Sequence, residues 1–158
     1  MEAIRNDQIK VINYVDCTIE QKKDIFDLRN DPDMRKWAAD PKELSFKNHL
    51  QFIESLQGDE ERYYFAVYKE DKLIGSYNLH HISDTTWERG LFSSPSTQGK
   101  GLTTNWERLI LKSLPKSRFR TIVAEVKINN PRSLRYHEKM GFTETGRDND
   151  YVYYKKEI

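Results

Sequence analysis

The chain has a single cysteine, Cys17, among its 158 residues. That excludes an internal disulfide and suits a reducing compartment. An excess charge of either sign is also missing. Lys and Arg number 26 against 25 for Asp and Glu, a net charge of +1, so nothing marks a surface built to neutralise a nucleic acid backbone. No apolar run approaches the length of a membrane-spanning helix, and the first residues lack the apolar core of a secretory signal. No Cys/His cluster offers a metal site. Repeats, low-complexity tracts and linkers are absent. These absences predict one domain, residues 1–158, cytoplasmic, without nucleic acid, membrane or metal partners.

What is present alternates between two periodicities. "QIKVINYV" (8–15), "RYYFAVYK" (62–69), "LIGSYNLHHI" (73–82), "TTWERGLFS" (85–93), "RTIVAEVK" (120–127) and "YVYYKKEI" (151–158) read as strands. The acidic turn "EDK" joins the second and third of these as an antiparallel hairpin. Thr18 suits the cap of the helix "IEQKKDIFDLRN", which ends before Pro32. A second helix starts at Ser45, with Phe46, Leu50, Ile53 and Leu56 on roughly one face. A third runs from about Leu102 to Leu114 and is stopped by Pro115. In "NNPRSLRYHEKMGF", Asn130 suits the N-cap, Pro131 the first helical position and Gly141 the residue past the end. The order β-α-α-β-β-β-α-β-α-β predicts an α+β, or mixed α/β, fold around a central sheet.

One junction is chemically loaded. "SSPSTQGKGLTTNWERLI" (93–110) leads from a strand through two glycines into a helix. Glycine lets backbone N–H groups approach phosphate oxygens, and a helix N-terminus supplies partial positive charge. A plain tight turn accounts for Gly-Lys-Gly equally well on its own. Neither the P-loop nor the dinucleotide fingerprint fits. About thirty residues on, a second strand ends at "KINN" and a capped helix begins. Two neighbouring parallel strands, each feeding a helix, would splay at their C-terminal ends, where open sheets bind ligands.

Taken together, these two segments resemble the GNAT superfamily of N-acyltransferases. "QGKGLT" looks like the family's acyl-CoA pyrophosphate loop, with Gln98 and Gly101 in the fixed slots and Thr103 where a smaller residue is usual. "NNPRSLRYHEKMGF" resembles the second family motif. "LRNDPDMRKW" and "FKNHLQFIESL" resemble the front halves of two subfamilies. One acetylates a UDP-linked 4-amino-sugar in pseudaminic acid biosynthesis, and the other acetylates ribosomal-protein N-termini. The resemblance implies a mostly antiparallel sheet with splayed parallel strands and about four helices. It further implies acetyl-CoA as co-substrate, a small-molecule amine as acceptor and no metal, and it leaves a homodimer open.

By this resemblance, the backbone N–H groups of Gly99, Lys100, Gly101, Leu102, Thr103 and Thr104 would take the pyrophosphate behind Gln98. Leu91, Phe92 and Ser93 would pair with the pantetheine arm, and Asn130 and Ser133 would contact the coenzyme. Lys100, Arg132 and Arg135 would serve its phosphates, or else form a solvated face. On the acceptor side lie Arg29, Asn30, His49 and Phe52. Glu88 is the expected base and Glu125 its alternative. An alkyl ammonium near pKa 10 needs that base more than a sugar amine does. The slot of the family's proton-donating tyrosine holds His137, with Tyr136 one residue earlier; about 100° apart on a helix, only one can face the thiol. His137 is the expected acid by position. A polyamine or protein N-terminus as acceptor, and a non-catalytic CoA-binding module, are the alternatives.

Overall fold

The computed structural model describes residues 3–5, 8–38 and 40–158. Among them, five helices flank one eight-stranded sheet. The elements in chain order are β1 (Ile4–Arg5), β2 (Ile9–Asn13), α1 (Ile19–Asn30), α2 (Pro32–Arg35), α3 (Phe46–Ser55), β3 (Arg62–Lys69), β4 (Lys72–Ser83), β5 (Thr86–Ser93), α4 (Leu102–Ser113), β6 (Thr121–Lys127), α5 (Pro131–Lys139), β7 (Thr143–Arg147) and β8 (Tyr151–Glu157). The strand order across the sheet is β1-β2-β3-β4-β5-β6-β8-β7. Every neighbouring pair is antiparallel except β5 and β6. The mixed α/β architecture expected from the sequence is therefore present, with β1, α2 and β7 in addition. These three are two, four and five residues long, too short to show a period.

Local chemistry explains the boundaries. Thr18 and Gln21 form a capping box at the start of α1, satisfying two otherwise orphaned N–H groups. Ser45 caps α3 and Asn130 caps α5, each accepting from the backbone three residues on. Gly141, at φ +85°, ends α5 in the left-handed region. The β3–β4 turn places Glu70 and Asp71 at positive φ, matching the twist of a tight hairpin.

Two apolar clusters sit on opposite faces of the sheet. The larger, under α4 and α5, contains Trp87, Trp106, Phe65, Tyr77 and Ile122. The smaller, under α1 and α3, contains Ile25, Ile53, Tyr14 and Ala66. Packing leaves no room for a side chain at Gly75. A Cβ there would stand 2.8 Å from the Phe92 carbonyl oxygen and 2.9 Å from the Trp106 ring.

The parallel pair is short. Registered pairs run Thr86–Thr121, Trp87–Ile122 and Glu88–Val123, and then stop. Five further residues of β5 and four of β6 diverge, leaving backbone edges unpaired across a gap.

Candidate active site

The gap opens into two adjoining cavities. The larger, about 590 Å³, is lined by Leu91, Phe92 and Ser93 of β5, by Gln98, Gly99 and Gly101, by Thr103 and Thr104 of α4, and by Asn130, Arg132, Ser133 and Tyr136 around α5. The smaller, about 350 Å³, is lined by Arg29, Asn78, Glu88, Arg89, Glu125, Lys127, His137 and Tyr151, among others. Met34, Trp37, Leu91, Phe92, Asn130 and Ser133 border both.

In the larger cavity, the glycine loop is arranged for an anion. Gly99 and Gly101 adopt φ +79° and +71°, and nothing stands within 4 Å of where a Cβ would be. The α4 N-terminus has no side-chain cap, with Gly101 at the N-cap position. Helices α1, α3 and α5 are all capped by their own side chains. The first-turn N–H groups of α4 are thus left for an outside acceptor. Thr103 turns its hydroxyl toward β5, 2.5 Å from the Ser93 hydroxyl. Its bulk therefore ties the helix start to the strand and stays off the loop. Gln98 accepts from Arg132 at 2.5 Å, which joins the loop to α5. Asn130 accepts from the Ser133 N–H, so its side chain acts first as a cap. Neither Lys100 nor Leu102 lines the cavity.

The smaller cavity carries opposite charges. Alternation along β5 and β6 puts Glu88, Val123 and Glu125 on one face. Burial, then the neighbouring Glu88 and Asp148 carboxylates, raise the Glu125 pKa above its ordinary value. Arg29 reaches the same cavity from the last turn of α1, its guanidinium 5.9 Å from the rings of both Phe52 and Phe92. Asn78 lies directly over Gly90, where a Cβ would stand 2.6 Å from its Oδ1.

The other residues expected on the acceptor side stand behind Arg29. Asn30 accepts from the Leu44 N–H at 2.9 Å and donates to the Leu44 carbonyl, pinching the chain between α1 and α3. His49 is buried, against Tyr14 and Phe26, and borders neither cavity. Burial and then Arg29 push its pKa down to about 4. Phe52 meets Tyr64 edge-on. Of the two adjacent histidines, His80 joins the Tyr64 hydroxyl at 2.6 Å and His81 joins Glu61.

Behind both cavities runs a buried polar chain that the sequence reading missed. The Tyr136 hydroxyl donates to Glu107 Oε2. Glu107 Oε1 lies 2.7 Å from Arg89 Nε, an ion contact in which the N–H points too far off the line for a hydrogen bond. Arg89 Nη1 lies 2.8 Å from His137 Nε2, and the opposite ring nitrogen, Nδ1, lies 2.7 Å from the Ser133 carbonyl oxygen. Arginine only donates and a carbonyl only accepts, so Nδ1 holds the proton and Nε2 has none. Burial and then Arg89 push the His137 pKa down to about 3. This geometry opposes the role expected of His137, because its one proton is directed at a backbone carbonyl. The signal in the sequence was a glutamate, Glu107, between Trp106 and Ile110 on the apolar stripe of α4, facing an arginine between Trp87 and Leu91 on β5.

Residues 16–143 match the family described as acetyltransferase (GNAT) domain. The chain belongs to the GNAT acetyltransferases. Acetyltransferase PseH of Campylobacter jejuni is 28% identical over 150 residues, 92% of this chain and 91% of that protein. The crystal structure of C. jejuni PseH in complex with acetyl coenzyme A superposes with a TM-score of 0.72, at 24% identity over 94% of this chain and 98% of that one. Spermidine N-acetyltransferase from Vibrio cholerae, in complex with CoA and spermine, reaches a TM-score of 0.80 at 23% identity, covering 96% of each chain. The ribosomal L7/L12 α-N-protein acetyltransferase RimL reaches 0.83 at 14% identity, covering 99% of this chain and 94% of that one. At these identities the last three likenesses concern the fold. The splayed strands, the uncapped α4 and the capped α5 are what this GNAT chain builds from the two motifs read in its sequence. No described helix is long and apolar enough to cross a membrane.

Proposed function

We propose that this GNAT enzyme transfers the acetyl group of acetyl-CoA to the primary amine of a small acceptor that also carries an acidic group, such as an amino-sugar nucleotide. The observation that carries the acceptor class is the charge pattern of the smaller cavity, where Arg29 and the Glu88–Glu125 pair line one space. Carboxylates attract an ammonium, while a guanidinium held between two rings suits a phosphate or carboxylate. A polyamine would gain from the carboxylates and lose at Arg29. A protein N-terminus would need a groove longer than this cavity of about 350 Å³.

The residues of the larger cavity fit acetyl-CoA. The N–H groups from Gly99 to Thr104 would receive the pyrophosphate, and the free edge of β5 from Leu91 to Ser93 would lie along the pantetheine. The coenzyme supplies an activated thioester. Glu88, the base, takes a proton from the acceptor ammonium, and the freed nitrogen lone pair attacks the thioester carbon in a ternary complex. Backbone N–H groups at the splay hold the oxyanion; the carbon–sulfur bond then breaks, the leaving thiolate takes a proton from the acid, and the nitrogen gives up its second proton, which restores the acid. Tyr136 is the better acid of the adjacent pair. It lines the larger cavity, where the coenzyme would lie, and His137 does not; its hydroxyl would turn its proton from Glu107 to the sulfur.

The test is thiol release from acetyl-CoA against amino-sugar nucleotides, polyamines and N-terminal peptides. Turnover confined to acceptors with both an amine and an acidic group is expected. Preference for spermidine or a peptide would overturn the acceptor class. CoA binding without any turnover would favour a binding module.

A further inference from the structure

The strap between α1 and α3 carries Trp37, which borders both cavities and is 40% exposed. The strap's single helical turn, Pro32–Arg35, is too short to hold itself. Its base is closed by Asn30 on Leu44, and Arg35 folds back on the Asn30 carbonyl. Farther out, the Lys36 and Ala38 carbonyls, one on each side of Trp37, accept from a single donor. That donor is Nζ of Lys127, at 3.2 Å from each oxygen. Lys127 is the last residue of β6, on the floor of the gap where β5 and β6 part. Among the described residues, the hydrogen bonds from Lys36, Trp37 and Ala38 back to α2 and from Lys42 to Asp40 stay within the strap.

We propose that Lys127 is a positioning residue of the active site: by bridging the two carbonyls around Trp37 it fixes the wall that the coenzyme and acceptor cavities share. A charged donor is well suited to this task. The carbonyls follow a helical turn, where backbone dipoles favour a cation, and charge-assisted hydrogen bonds are the stronger kind. Without Lys127 the strap would hold its place only through its base and its apolar contacts, and both ligands would have to order it on binding. The inference rests on the acetyltransfer reading for what fills the cavities, but not for the latch itself.

The other two tryptophans, Trp87 and Trp106, are buried, so acrylamide quenching of tryptophan fluorescence in the ligand-free protein reports on Trp37. Lys127→Met should raise quenching, and Lys127→Arg, which can still bridge two carbonyls, should restore it. In turnover assays, Lys127→Met should raise the acceptor KM about tenfold while changing kcat less, as expected for a lost charged hydrogen-bond pair. Adding Lys127→Met to Trp37→Ala should raise KM no further, since both changes act through the same wall. Unchanged quenching in Lys127→Met overturns the proposal even if no acceptor is ever found. A full additional KM increase in the Trp37→Ala background overturns it too, because Lys127 would then act on the acceptor directly.

Discussion

Lowering the pH tests the buried histidine without reference to any substrate. His137 is packed between the Tyr154 ring, stacked at 5.2 Å, and the edge of Phe142, with Arg89 on one nitrogen and the Ser133 carbonyl on the other. Burial and then the Arg89 guanidinium push its pKa down to about 3, against an ordinary value of 6.5. Between those values the unfolded chain binds a proton that the folded chain refuses. Stability is therefore full above pH 6.5 and is lost as the pH falls toward 3. One pKa unit corresponds to about 1.4 kcal/mol, so acidification from pH 7 to pH 5 should remove roughly 2 kcal/mol through this residue alone. His49, whose pKa is about 4, adds a loss of similar sign and size over that interval. His137→Gln removes the titration and still offers Arg89 an amide oxygen. The assay is urea unfolding at pH 7, 6 and 5 for both proteins. The variant starts lower at pH 7 because it loses ring packing, but its stability should fall by about 2 kcal/mol less than that of the wild type. Parallel pH curves would refute a neutral, buried His137.

Four further outcomes follow from named contacts. Tyr136→Phe should lower kcat by about a hundredfold with little change in the KM for acetyl-CoA, the size expected for a lost proton donor; an unchanged kcat removes Tyr136 as the acid. Gly101→Ala places a side chain at φ +71°, and isothermal titration should show weaker CoA binding, with stability reduced by about 1 kcal/mol. Gly75→Ala would force its methyl group against the Phe92 carbonyl and Trp106. Denaturant unfolding should then show a loss of about 1–3 kcal/mol, and its absence would mean that β4 yields more easily than the close contact implies. In Glu88→Gln, the Glu125 carboxyl should titrate lower by NMR, because one of the charges that raises it is gone.

The sequence by itself determined the local structure around the larger cavity. Local signals suffice there: glycines that tolerate left-handed backbone, an asparagine and a proline that start a helix, and alternation that tells one face of a strand from the other. These features act within a few residues of one another, so their spacing is legible in a line of text. The family, the order of the longer elements and the splay of β5 from β6 followed from them. How the Tyr136 and His137 protons are held was not legible. It depends on Arg89 and Glu107, which lie 48 and 29 residues away along the chain from His137 and Tyr136 respectively and meet them only once β5, α4 and α5 pack together. Asn30 and Lys127 are of the same kind: one closes the base of a strap and the other crosses a gap of about ninety positions to hold its tip. Which proton a buried side chain keeps is set by neighbours that only the tertiary structure assembles.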